Sequence, residues 1–202
     1  MAKKHSTKSK AQPLTTQGEV RIIAGKWRSR KITFTPVDGL RPSPSRIRET
    51  LFNWLTNDLP TSHCLDLFAG SGVLGFEALS RGAETVTLVE INRQAAKQLL
   101  TNKVQLGADD LQIIEQDATQ LKQFAKRLKN KIDIVFCDPP FSKGLVQPLF
   151  NSLEQVGILQ VSAKIYVETE KNLTELDLPE NWNLLKEKVA GDVRYRLFER
   201  NE

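Results

Sequence analysis

What this chain of 202 residues has little of narrows it first. It holds two cysteines and two histidines, too few and too scattered to compose a zinc site. Cys64 and Cys137 both lie inside apolar runs, so buried reduced thiols are expected rather than a disulfide. No apolar stretch approaches a membrane span, and the opening Met1-Ala2-Lys3-Lys4-His5 lacks the hydrophobic segment of a secretory signal. No internal repeat is present. The expectation is a cytoplasmic globular protein with one large core, no membrane and no metal partner.

Acidic residues are scarce in one region only. Residues 1–48 carry 12 Lys and Arg against Glu19 and Asp38, whereas the remainder carries 17 basic and 22 acidic side chains. That imbalance points to a polyanionic partner. Residues 1–18 read as a basic, disordered tail, because Lys3 to Lys10 stand in a Ser/Thr/Gln/Pro-rich setting. Residues 19–40 read as an extension to the main domain. Within it, Val20–Pro36 has two β-favouring runs around a glycine, with basic residues interleaved with Trp27 and Phe34, which predicts a β-hairpin with a cationic surface. Lys26, Arg28, Arg30 and Lys31 lie close enough there to track phosphates, and a solvated edge hairpin protected by charge is the competing view. Arg41-Pro42-Ser43-Pro44 leads into a helix, with Ser43 as N-cap, Pro44 at the first helical position, and Ile47, Leu51, Trp54 and Leu55 facing the core. Arg46 and Arg48 lie elsewhere on that helix, and with Arg41 they can reach either a carboxylate or nucleic acid.

From His63 onward, strand-like and helix-like stretches alternate. Cys64 to Phe68 precedes a helix to Arg81, Thr85 to Val89 a helix from Asn92, and Leu111 to Ile114 a helix to Lys129. Ile132 to Cys137 follows, then a helix across Leu145, Leu149, Leu153 and Val156, then Lys164 to Val167. Trp182 to Val189 and Val193 to Phe198, joined by Ala190-Gly191-Asp192, read as a hairpin. Residues 41–202 are therefore expected to form an α/β domain, a doubly wound, mostly parallel sheet that closes with an antiparallel C-terminal hairpin.

In such a sheet the ligand sits beyond the carboxyl ends of the strands, where the strand order reverses. The first strand ends Leu65-Asp66-Leu67-Phe68-Ala69-Gly70-Ser71-Gly72-Val73-Leu74-Gly75, so Gly70, Gly72 and Gly75 satisfy G-x-G-x-x-G. Glu90 follows at the end of the second strand, where a carboxylate can hold both hydroxyls of a ribose. Alone, this pattern suits NAD or S-adenosylmethionine. Asp66 separates them, because an acid sits badly beside a pyrophosphate and well beside the ammonium of S-adenosylmethionine. Asp117, after the third strand, falls where the adenine amino group needs an acceptor, with the Ala118 backbone at the ring edge; a helix N-cap is the plainer reading of Asp117.

The fourth strand ends in Asp138-Pro139-Pro140-Phe141. Neither proline has an N–H, so this turn offers carbonyls and a carboxylate without competing donors, a corner suited to a neutral amino group. Phe141 supplies a face on which a base could stack. An ordinary strand-terminating turn with Phe141 in the core is the alternative.

Asp66 to Gly72, Glu90, Asp117 and Asp138 to Phe141 resemble motifs of the Rossmann-like methyltransferases that modify amino nitrogens. Arg21 to Arg28, Leu40-Arg41-Pro42 with Arg46 to Leu55, and Lys188 to Gly191 narrow the resemblance to the bacterial 16S ribosomal RNA guanine-N2 methyltransferases, over roughly Val20 to Arg200. One departure is visible, Ala24-Gly25 where that family commonly has two glycines. The resemblance implies methyl transfer to N2 of a guanosine in 16S rRNA of the small ribosomal subunit or its assembly intermediate. It implies S-adenosylmethionine held by Arg41, Asp66, Phe68, Ala69, Gly70, Gly72, Glu90, Ile91, Asp117 and Ala118, catalysis at Asp138, Pro139, Pro140 and Phe141, and RNA contacts at Lys26, Arg28, Arg30, Lys31 and Arg46. Another amino methyltransferase, acting on adenine N6 in DNA or on a protein glutamine, remains an alternative, as does a non-catalytic RNA-binding assembly factor. An NAD-dependent dehydrogenase is disfavoured by Asp66.

Overall fold

The computed structural model describes residues 17–36 and 42–202. Most of the expected tail, and Arg41, lie outside the described residues.

Two strands, β1 (Gly18–Arg21) and β2 (Lys31–Phe34), pair antiparallel as a small separate sheet. The chain between them is not a tight turn. Its nine residues fold back on themselves, with the Ile22 N–H on the Arg30 carbonyl and the Ser29 N–H on the Ile22 carbonyl. They dock on a helix of the main domain, burying Ile22, Trp27 and Ile32. Trp27 is thus core rather than part of the cationic surface. Lys26, Arg28, Arg30 and Lys31 remain exposed around it.

Helix α1 (Ser45–Trp54) buries Ile47, Leu51 and Phe52, and Trp54 stacks on Tyr195 with ring centroids 5.4 Å apart. Its start differs from the expectation. Pro44 occupies the cap position with no side-chain cap bond, and the Ser43 hydroxyl is engaged elsewhere. The main domain continues as β3 (His63–Asp66), α2 (Val73–Ser80), β4 (Thr85–Glu90), α3 (Arg93–Leu106), β5 (Leu111–Glu115), α4 (Leu121–Phe124), β6 (Ile132–Cys137), α5 (Val146–Val156), β7 (Leu159–Glu170), β8 (Trp182–Ala190) and β9 (Val193–Arg200). The helix expected to reach Lys129 is broken instead: single 3-10 turns at Ala118–Gln120 and Ala125–Arg127 flank the one turn of α4. Strand β7 is longer than Lys164 to Val167 because it serves as the partner of both β6 and β9.

The seven strands run β5-β4-β3-β6-β7-β9-β8. Pairs from β5 through β7 are parallel, and β9 inserts antiparallel between β7 and β8. Parallel strands covered on both faces read as continuous apolar runs, and the core divides accordingly. One face packs Phe76, Leu88, Phe136 and Tyr166 under α1 and α2, and the other packs Leu67, Phe124, Val135, Phe150 and Phe198. Cys64 belongs to the first face and Cys137 to the second, both free and buried, which separates them by the thickness of the sheet. After β3 the chain builds β4 and β5 to one side and β6 and β7 to the other. The topological switch point therefore lies between β3 and β6, the position where such sheets open a crevice at their carboxyl ends.

Candidate active site

Side chains alternate along a strand, so one parity at the strand ends decides what faces the crevice. Asp66 on β3 pairs in register with Phe136 on β6, which pairs with Tyr166 on β7. These face the α1 side of the sheet. Two residues further, with the same parity, come Asp138 and Glu168. Three carboxyls thus gather at one mouth.

Asp66 is 2% exposed, and its Oδ1 finds no hydrogen-bond partner among the described residues. Burial first, with repulsion from Glu90 and Glu168 added, pushes its carboxyl up to about 7. A buried acid with an orphaned oxygen is poised for a cation.

The turn after β3 is built by glycine. Gly72 has φ +76, and a Cβ there would come within 2.5 Å of Leu99 Cδ2. Gly75 lets α2 approach the sheet, since a Cβ would stand 2.3 Å from Leu88 Cδ2. Gly70 donates its N–H to Glu90 Oε2 at 2.8 Å, and Asn92 donates to Glu90 Oε1 at 2.7 Å. Each oxygen keeps a lone pair, so the carboxylate is oriented without being used up. Around it Phe68 is half-buried, Ala69 buried and Ile91 68% exposed, an apolar side chain in the open beside a charged one. Asp117 lies two residues beyond β5; its Oδ1 caps the following 3-10 turn by accepting from Thr119 N at 2.8 Å, and Ala118 is buried.

Beyond β6, Pro139 is buried while Pro140 and Phe141 are exposed, so Phe141 is not core. They border a cleft of about 180 Å³ whose other walls include Glu168, Glu170 and Leu173. That is room for a planar ring rather than for a drug-sized ligand, which needs roughly 300 Å³ or more. Burial, then the neighbouring charges of Glu168 and Asp66, hold the Asp138 carboxyl well above the usual carboxylate range. The structure brings Asp66, the glycine turn and Asp138 together on adjacent strands and places Glu90 at the end of the next one, β4.

The basic candidates are exposed but not all uncommitted. Lys31 pairs with Glu19, Arg30 donates to the Gln105 carbonyl, and Arg46 is exposed on α1. Arg48 is structural: 3% exposed, it donates to the carbonyls of Ser43 and Arg21 and to Glu77.

Sequence reasoning missed Glu77 and Glu168 and took Ser43 for a helix cap. Glu77, fully buried, accepts from the N–H groups of Ile23 and Ala24 and from Arg48 and Arg81, tying the docked loop to α1 and α2. Ser43 and Glu168 bond each other. A glutamate inside the apolar run Ile165-Tyr166-Val167-Glu168 was the one available signal.

Comparison with known proteins bears on this arrangement. Residues 20–199 match the family described as conserved hypothetical protein 95. The chain is 45% identical over 183 residues to the ribosomal RNA small subunit methyltransferase D of Escherichia coli K12, covering 91% of both. It is 46% identical over 194 residues to the protein of that name from Haemophilus influenzae, covering 94% of this chain and 98% of that one. The solved structure of Escherichia coli yhhF superposes with TM-score 0.79 at 44% identity, over 92% of this chain and 99% of that one.

Proposed function

The chain belongs to the family described as conserved hypothetical protein 95, and from that membership we propose that it is an S-adenosylmethionine-dependent methyltransferase of small-subunit ribosomal RNA, acting on N2 of a guanosine. The observation that carries the finer reading is the adjacency of Asp66 and Asp138 at the switch point, which sets an orphaned acid beside a donor-free corner.

The residues present suit the cofactor. Asp66 would take the ammonium, the Gly70–Gly72 turn the methionine backbone, Glu90 the ribose hydroxyls, and Ile91, Asp117 and Ala118 the adenine. When bound, S-adenosylmethionine supplies a methyl group on a sulfonium, which leaves as a neutral thioether. The protein's own task is positioning. A guanine amino lone pair is delocalised into its ring, and acceptors aimed at its hydrogens favour pyramidalisation. A carboxyl oxygen of Asp138 and the Pro139 carbonyl serve as those acceptors, with Phe141 stacked on the extruded base. The same electronegative corner supports the positive charge that develops on nitrogen. Lys26, Arg28, Arg30, Lys31 and Arg46 contact RNA phosphates.

Asp138→Ala is the direct test. Calorimetry should show S-adenosylmethionine binding retained, while labelled-methyl transfer to small-subunit particles falls at least about a hundredfold. Full transfer by this variant would remove Asp138 from the mechanism. Label recovered in DNA or protein rather than at a guanosine N2 would replace the proposed substrate.

A further inference from the structure

The contacts proposed to the cofactor and the base use neither Ser43 nor Glu168, although Glu168 forms part of the wall of the cleft beside Phe141. Glu168 is 3% exposed on β7, and its Oε1 accepts from the Tyr166 hydroxyl at 2.8 Å and from the Ser43 hydroxyl at 3.0 Å. The same Ser43 oxygen stands 3.4 Å from Asp138 Oδ2. A hydroxyl has one hydrogen and two lone pairs, so Ser43 can donate to one carboxyl while accepting from the other. Asp66 and Cys137 stand beside Asp138, Tyr166 lies on the same strand as Glu168, and Tyr195 pairs in register with it from β9. Neither carboxyl has an ion-pair partner among the described residues, and Arg48, which reaches the Ser43 carbonyl, is taken by Glu77. Two carboxyls, Glu168 buried and Asp138 half-buried, bridged by one hydroxyl and with no cation beside them among the described residues, hold a proton between them. Burial pushes both upward, and the two donors on Glu168 make it the better anion of the two. That difference favours Asp138 as the resting site of the shared proton.

We propose that Ser43 and Glu168 are positioning residues forming a proton relay behind Asp138, with Glu168 as the final acceptor of the proton that the methylated amine must lose. This rests on the reading of Asp138 as the group facing the amine. The nitrogen lone pair forms the new N–C bond, and the carbon–sulfur pair stays on sulfur. The amine N–H proton passes to Asp138 Oδ1, the Asp138 Oδ2 proton passes to Ser43, and the Ser43 hydroxyl proton passes to Glu168 Oε1. The amine cation and the Glu168 anion are both neutralised, and Asp138 remains neutral throughout.

The pair is read first without substrate. In infrared pH-difference spectra of the whole protein, the wild type should keep two protonated carboxyl bands near neutral pH, one lost in Asp66→Asn and the other, which reports the pair, lost in Asp138→Asn. In Glu168→Gln the pair's band should titrate at lower pH, because Asp138 no longer feels the Glu168 charge, the larger of the two that act on it. A pair band in Glu168→Gln that titrates as in wild type overturns the relay. In assays with small-subunit particles, Glu168→Gln and Ser43→Ala should each lower kcat about a hundredfold with KM and cofactor affinity little changed, and Ser43→Thr should restore the rate. The acid limb of the Glu168→Gln rate profile should also move to lower pH, which a purely structural defect would not cause; wild-type kcat in Glu168→Gln overturns the relay as well. If the wild type transfers no methyl to particles while the infrared band behaves as stated, the substrate reading falls and the proton-sharing pair stands.

Discussion

Asp66 holds its proton near neutrality because its carboxyl is buried without a partner for one oxygen. Its folded value, about 7, lies above an unfolded value near 4, so the native state binds more protons between them. The stability this contributes is complete below about pH 4 and is lost as pH rises through 7, on the order of 4 kcal/mol across the window at most. Asp66→Asn keeps the neutral form's shape and removes the titration. Thermal melts from pH 5 to 8 should therefore fall less steeply in the variant than in wild type. S-adenosylmethionine should raise the wild-type melting temperature more at pH 8 than at pH 5 and the variant's little at either. Parallel curves for the two proteins would show that Asp66 is not the titrating group.

Among the elements, the docked loop 22–30 is held by two side chains of α2, Ser80, which accepts from the Trp27 N–H and donates to the Ala24 carbonyl, and Glu77, which carries the charge. Glu77 on α2 accepts from two loop N–H groups and from Arg48 and Arg81, all around a carboxylate that water does not reach. Removing one partner of a buried pair leaves the other charge stranded, so Glu77→Gln should cost about 3–5 kcal/mol. The loop should then become sensitive to limited proteolysis before the sheet does; simultaneous cleavage throughout would show that the loop has no separate anchor. The sequence foretold the strands at the mouth because each is a short apolar run closed by an acid, as at Leu65-Asp66 and Phe136-Cys137-Asp138. It foretold less well what depends on contacts between distant residues. Ser43 looked like a cap because Ser precedes Pro, yet its partner is 125 residues away. Trp27 looked like part of a basic surface because its neighbours are basic, yet it closes the core. Glu77 sits in a helix whose pattern does not distinguish a buried anchor from a solvated glutamate.

For the whole molecule, charge asymmetry is the property that should be felt at a distance. Deleting residues 1–36 would be a poor test, since it would also strip Ile22, Trp27 and Ile32 from the core and uncover the buried Arg48–Glu77 pair. Replacing Lys26, Arg28 and Arg30 together by Gln leaves Ile22, Trp27 and Ile32 in the core, as all three basic residues are exposed, and gives up only the Arg30 bond to the Gln105 carbonyl and the Lys26 cation over the Trp27 ring. RNA affinity should drop, and the slope of log affinity against log salt should shallow by roughly two to three, at about 0.7–0.9 for each phosphate no longer neutralised. Cofactor affinity should not change. An unaltered slope would move the RNA path elsewhere on the surface.

The position of β9 governs how this molecule can be made. During N-to-C synthesis β8 emerges first, but the slot beside β7 belongs to β9. Until Val193–Arg200 arrive, β7 presents a naked flank with Tyr166 and Glu168 behind it, and β8 is the wrong neighbour for it. The ready route is for β8 and β9 to zip together locally, across Gly191, and then dock as a finished ribbon. A nascent chain halted before residue 193 would thus be left with a sticky margin, and the proton-sharing carboxyls would be among the last groups sealed from water.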